Sequence, residues 1–222
     1  MIHYVISTNP DDRVLQRATY ALSEGGLIAF PTDSSWVIAA SPMSKVAVER
    51  LYKLKNVDHH KHFSLLCNTI AQASRYAFIS DAVYKRIRNK LPGPYTFVFT
   101  PTNDLPRSIR DYKKEKEIGI RIPASVLAAR LVDYLKQPLL ATSISKHMIP
   151  ELAEEEAEES WPAGKYDIYS YQIEEALGHL LAMIIDPGDF EFKGPSSVVD
   201  FSKDPFIPVI LREGIGEIES FL

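Results

Sequence analysis

In the segment Leu27-Ile28-Ala29-Phe30-Pro31-Thr32-Asp33-Ser34-Ser35, residue type and spacing together suggest chemistry. An apolar run stops at a proline and gives way to hydroxyls and one carboxylate. Such a run reads as a buried strand, and the polar cluster after it as a tight turn. In an α/β sheet, ligands bind at the carboxyl ends of strands, so Thr32 and Asp33 stand where a polar small molecule could be held. On these residues alone, an ordinary turn closing a strand is the simpler reading. Arg121 is harder to explain that way. It lies within Ile118-Gly119-Ile120-Arg121-Ile122, and a guanidinium buried in an apolar strand needs an anion. His59, His60 and His62 form a close trio. No second ligand cluster accompanies them, so a polar loop with one histidine touching a ligand is a simpler reading than a metal site.

Alternating helix and strand patterns carry these groups. Arg13 to Glu24 has helical spacing and stops at Gly25-Gly26, a natural C-terminal cap. Lys45–Lys55, Asp81–Leu91 and Ala124–Lys136 also read as helices, the second ended by Pro92-Gly93-Pro94. Leu27–Phe30, Phe63–Cys67, Tyr95–Thr100, Ile118–Ile122, Leu139–Thr142 and Leu181–Asp186 read as strands, with more toward the C-terminus. The pattern predicts an α/β domain of about seven strands, in a mixed sheet because some connections are short. There is no internal repeat and no linker, which predicts one domain over residues 1–222.

Composition narrows the class. At 45% hydrophobic residues, the 222-residue chain can build a normal core. No apolar stretch approaches the roughly 18 residues of a membrane helix. The N-terminus lacks a secretory pattern, and a single cysteine, Cys67, fits a reducing cytoplasm. Cys67 reads as a small buried hydrophobe rather than a nucleophile. Net charge is -4, but six glutamates crowd positions 151–159, and the stretch 151–160 reads as an acidic surface segment. Between Lys85 and Lys116, nine basic residues face three acidic ones. That excess could attract phosphate or nucleic acid, although a solvated helix face with a basic loop looks the same.

The common phosphate cradles, zinc motifs and serine-nucleophile elbow are absent. Instead, short polar signals recur where elements end: Pro31-Thr32-Asp33, Pro92-Gly93-Pro94-Tyr95-Thr96, Arg121-Ile122-Pro123, Thr142-Ser143 and Ser196-Ser197-Val198-Val199-Asp200. Their order and spacing resemble the YrdC/Sua5/YciO family over about residues 10–222. The resemblance implies a single twisted, open mixed sheet with helices around it, a core over about residues 10–215 and a basic concave cavity. It implies synthesis of threonylcarbamoyl-adenylate from L-threonine, bicarbonate and ATP with release of pyrophosphate, the first step of a tRNA modification. It also implies an association with nucleotides and double-stranded RNA, with Mg²⁺ accompanying ATP. By the same resemblance, Thr32, His62 and Arg121 would contact threonine, and Lys55, Ser143, Ser196 and Arg212 the nucleotide. No protein nucleophile is required, because a bicarbonate-derived carbamate serves as its own.

The chain departs from the synthase pattern K-x-R…S-x-N. Val57 stands where arginine is expected and Ser145 where asparagine is. These departures resemble the YciO branch and leave open a paralogue that binds nucleotide or RNA without turnover. Lys53, Lys61 and Arg50 are candidates to replace the missing cation. P-T-D-T-V-Y-G-L becomes Pro31-Thr32-Asp33-Ser34-Ser35-Trp36-Val37-Ile38, and losing a glycine where backbone approaches ligand would narrow the site.

Overall fold

The computed structural model describes residues 1–55, 63–111, 117–153, 168–188, 191 and 193–222. His62 and Val57 lie outside the described residues, as does most of the acidic segment, residues 154–160. Lys55 is placed as the last residue of a helix, Lys45–Lys55.

The N-terminal half contains β1 (Ile2–Tyr4), α1 (Asp12–Ser23), β2 (Ile28–Pro31), β3 (Trp36–Ala40), α2 (Lys45–Lys55), β4 (Ser64–Leu66), α3 (Ile70–Ala73), α4 (Asp81–Ile87) and β5 (Tyr95–Phe99). There follow α5 (Arg107–Arg110), β6 (Ile118–Arg121), α6 (Val126–Leu135), β7 (Leu139–Ser143), α7 (Pro150–Ala153), α8 (Ser170–Leu177), β8 (Met183–Asp186), β9 (Ser197–Asp200) and β10 (Val209–Arg212). The strands form one ten-stranded sheet in the order β1-β8-β2-β3-β7-β4-β6-β5-β9-β10. It is mixed: β1/β8, β2/β8, β4/β6 and β5/β9 pair in parallel, and the remaining neighbours antiparallel.

Ten strands replace the seven expected. β1 is too short to carry a periodic signal. In β3, Trp36-Val37-Ile38-Ala39-Ala40 is buried on both faces, so it reads as an unbroken apolar run without alternation.

Local chemistry explains the helices that position the sheet. Asp11 caps α1 by accepting from the Arg13 amide at 2.7 Å. Gly25, at φ 81°, ends the helix, and the Gly26 amide donates back to the Ala21 carbonyl at 2.8 Å. Ser125 caps α6 through the Ala128 amide. α1 and α6 pack together on one face of the sheet over Ile28, Phe30, Val37, Ala39, Leu139 and Ala141. A larger apolar cluster covers the other face, including Ile38, Phe97, Phe99, Ile118, Ile120 and Val199. Cys67 belongs to it, and burial raises its thiol pKa to about 12, keeping it protonated and inert at neutral pH.

Period-two alternation then decides which side chains can form a site. Ile118 and Ile120 of β6 point into the larger cluster, so Arg121 points to the opposite face. Tyr95, Phe97 and Phe99 of β5 do the same, so Thr96 shares the face of Arg121.

Candidate functional site

The turn between β2 and β3 closes on itself. The Thr32 amide and hydroxyl both donate to the Ser35 carbonyl, at 3.0 and 2.8 Å. Arg121 seats its Nη2 in this turn, donating to Asp33 Oδ1 at 2.5 Å, Ser34 Oγ at 2.6 Å and Thr32 Oγ1 at 3.0 Å. Asp33 Oδ2 accepts from the Ala124 amide at 2.8 Å, which ties the turn to the segment after β6. Arg121 is only 4% exposed, so its charge depends on Asp33: burial lowers its pKa, and the Asp33 carboxylate opposes that shift. Arg121 Nε is buried and has no hydrogen-bond partner among the described residues. A cavity of about 490 Å³ adjoins the turn, lined by Thr32 and Asp33 with Ser7, Thr8, Ser125 and Lys193 among others.

Following the pairings across the sheet, β6 runs antiparallel to β2, so their carboxyl ends lie at opposite edges. They meet because the sheet twists. Sheets twist by about 20–25° from strand to strand, and β6 stands four strands from β2. The site is therefore a crossing of two strand ends over one face, not a row of loops along one edge.

A second cluster forms where β9 begins. Arg212 Nε and Nη2 both donate to the Ser196 carbonyl, at 2.9 and 2.7 Å, and Nη2 also reaches Ser196 Oγ at 3.1 Å. Ser196 is buried, and its hydroxyl lies 3.0 Å from Thr96 Oγ1. Arg212 is exposed as a residue and has no carboxylate partner among the described residues. Burial of its head group and the nearby Arg121 charge lower its pKa. Among the described residues Arg121 has a carboxylate partner and Arg212 has none, an arrangement in which Arg212 could take an anion. Ser143, at the exposed end of β7, accepts from Ser35 Oγ at 3.1 Å.

Of the residues expected from sequence, the structure brings Thr32 and Arg121 into direct contact, sets Arg212 on Ser196, and joins Ser143 to the Thr32 turn through Ser35. Thr32 is buried, with its hydroxyl already donating to Ser35 and accepting from Arg121, so it shapes the turn and holds the arginine. Arg50 and Lys53 instead line a separate pocket of about 510 Å³ with Leu27, Leu54, His179 and Leu180. Lys61, like Val57, lies outside the described residues. Val37 is 2% exposed within the cluster under α1 and α6, so its added bulk fills the core.

The basic run is also partly spent. Arg86 donates to the carbonyls of Phe206, Ser220 and Phe221 and stacks over the rings of Phe201 and Phe221, while Lys90 pairs with Glu217 at 3.4 Å. Lys113, Lys114 and Lys116 lie outside the described residues. The sequence pointed to Asp33 as a group that could hold a polar molecule, but gave no site role to Ser34, Ser35 or Thr96. The alternation of β5 was the available signal for Thr96, and the spread of hydroxyls after Pro31 for the others.

Comparison with known proteins follows the same outline. A family model for Sua5, YciO and YrdC, described as telomere recombination, matches residues 20–214. YciO of Escherichia coli is 31% identical over 99% of this chain and 98% of its own. A threonylcarbamoyl-AMP synthase of Neisseria meningitidis is 29% identical over 56% of this chain and 66% of its own. The crystal structure of E. coli YciO superposes with a TM-score of 0.83 at 30% identity, covering 100% of this chain and 99% of that one. P. abyssi Sua5 complexed with L-threonine shares the fold, with a TM-score of 0.76 at 22% identity, covering 96% of this chain and 57% of that one. A matching family model over most of its length, together with full-length identity to YciO, establishes that this chain belongs to the Sua5/YciO/YrdC family.

Proposed function

We propose that this protein is a threonylcarbamoyl-adenylate synthase-type enzyme, using L-threonine, bicarbonate and ATP and serving tRNA modification in the cytoplasm. The observation that carries the reading is Arg121: a buried guanidinium with one donor unpartnered, set beside an acidic and hydroxyl-rich turn. The cavity beside the turn is lined by Thr32 and Asp33, and an α-amino acid there would offer an ammonium to Asp33 and a carboxylate that draws on the Arg121 charge behind it. Arg212, without a carboxylate of its own, suits the phosphates of a nucleotide, with Ser196 and Ser143 supplying hydroxyls. Family relatives named as threonylcarbamoyl-AMP synthases, and a Sua5 structure complexed with L-threonine, agree with this assignment.

The chemistry asks the protein for positioning and charge. The threonine amine adds to bicarbonate with loss of water to give a carbamate. A carbamate oxygen then attacks the α-phosphorus of ATP, and the bond to pyrophosphate breaks. No group of three His, Cys, Asp or Glu side chains converges among the described residues, so Mg²⁺ would be held mainly through the phosphates, its usual manner with nucleotides.

The test is pyrophosphate release from ATP in the presence of bicarbonate and Mg²⁺, with and without L-threonine, beside a competent relative. Threonine-dependent release is expected, and its absence sinks the reading. The Ser145 replacement favours a second reading, a paralogue that holds nucleotide or double-stranded RNA without turnover. Binding of ATP without threonine-dependent pyrophosphate release would select it.

A further inference from the structure

Ser35 stands between the two halves of the site. Its carbonyl accepts from the Thr32 amide and hydroxyl, and that hydroxyl in turn accepts from Arg121 Nη2. Its own hydroxyl donates to Ser143 Oγ at 3.1 Å. Arg121, Thr32 and Ser35 are all buried, so this chain of polar groups runs through protein rather than solvent. The two links meet on Ser35 at different groups, its main-chain carbonyl and its hydroxyl. Thr32 turns a lone pair to the guanidinium and therefore gives its proton to Ser35. Ser35 gives its proton to Ser143. Ser143, exposed and without an acceptor among the described residues, is left presenting an O–H donor outward. The coupling through Ser35 is therefore mechanical: its backbone is fixed by Thr32, and its side chain fixes Ser143.

We infer that Ser35 is a positioning residue that couples the amino-acid half of the site to the nucleotide half. The synthase pattern carries valine at this position, which could neither donate to Ser143 nor set the direction of its proton. An anion beside the turn shifts the Arg121 guanidinium against Thr32; Thr32 carries the Ser35 backbone with it, and the Ser35 side chain moves the donor that Ser143 offers to a phosphate. The inference rests on the proposed function, and linkage makes the effect reciprocal: whatever threonine does to nucleotide affinity, nucleotide does to threonine affinity.

Calorimetric titration tests it, with L-threonine and with the α,β-methylene analogue of ATP, each alone and each in the presence of the other. In the wild-type protein each ligand should tighten the other by about fivefold or more. In Ser35→Ala, threonine alone should bind as before, the analogue more weakly, and the mutual effect should fall to within about twofold; Ser35→Thr, which keeps the hydroxyl, should restore it. Ser143→Ala removes the same link from its other end and should also abolish coupling, so a Ser35→Ala protein that fails to fold does not close the question. Wild-type coupling in a folded Ser35→Ala protein or in Ser143→Ala overturns the inference, as does a wild-type protein that binds both ligands without coupling. A wild-type protein that binds neither ligand removes the proposed function, and this inference with it.

Discussion

Arg121 and Asp33 form an ion pair whose partners are both nearly sealed from water, with side chains 4% and 10% exposed. Such a pair contributes little net stability compared with well-packed apolar residues, because desolvation consumes most of the attraction. Breaking it from one side is a different matter, since the remaining charge has no water to turn to. Asp33→Ala should therefore destabilise the protein by about 3–5 kcal/mol, while the double variant Asp33→Ala/Arg121→Met should recover much of that loss. Urea titration of the two single variants and the double one reads the coupling directly. A cost below about 1 kcal/mol for Asp33→Ala would mean that the pair is solvated and that the turn does not hold Arg121 as described. The same pairing explains why a cation persists at the end of an apolar strand: Asp33 is its counter-charge.

At the scale of elements, β10 and the segment after it determine where Arg212 sits. The Gly214 amide donates to Ser197 Oγ at 3.0 Å, and Ser197 Oγ donates to the Gly216 carbonyl at 2.5 Å, so the chain after β10 is laced onto the start of β9. A Cβ on Gly214 would lie 2.3 Å from the Pro195 carbonyl oxygen and 2.6 Å from the Ser196 carbonyl carbon, and backbone atoms cannot swing aside. Gly214→Ala should cost about 1–3 kcal/mol in thermal or chemical unfolding. It should also weaken binding of an ATP analogue while sparing threonine, because Arg212, two residues before Gly214, takes its place from the Ser196 carbonyl. Equal loss for both ligands would show that β10 supports the whole site. Sequence was informative where an element announces itself locally: α2 runs over the expected Lys45–Lys55, and α1 ends at the expected glycines because a left-handed cap needs Gly25. The helix expected over Asp81–Leu91 stops at Ile87, short of the cis Leu91-Pro92 bond and its preceding turn. Arg121 and Thr32 were legible as polar groups at the ends of apolar runs. Their junction was not, because Asp33 and Arg121 are 88 residues apart and meet only through accumulated sheet twist, which no local pattern encodes.

At the scale of the molecule, charge is distributed against its own total. The chain carries -4 overall, yet it concentrates nine basic residues between Lys85 and Lys116. Arg86 and Lys90 are committed to holding the C-terminal segment, where Phe221 packs edge-on against Tyr95 and Phe97. Lys85, Arg88, Arg107 and Arg110 remain exposed on and around α4 and α5, free of ion pairs among the described residues. Among the described residues of this run, these four are the cations that could meet a nucleic-acid backbone. If each meets one phosphate of a duplex RNA, log K should fall with log salt at a slope of about -3 to -4, since each neutralised phosphate releases close to one counterion. Replacing the four by glutamine should flatten that dependence and leave threonine and ATP binding as in the wild type, because none of the four is among the hydrogen-bond partners of Arg121, Ser196 or Arg212. Arg86→Gln, by contrast, should lower stability without changing the salt slope. Filter binding of a short RNA duplex across 50–300 mM salt measures both. An unchanged slope in the four-residue variant would show that RNA, if bound, is held by another surface, and a flat wild-type response would remove the RNA-binding reading altogether.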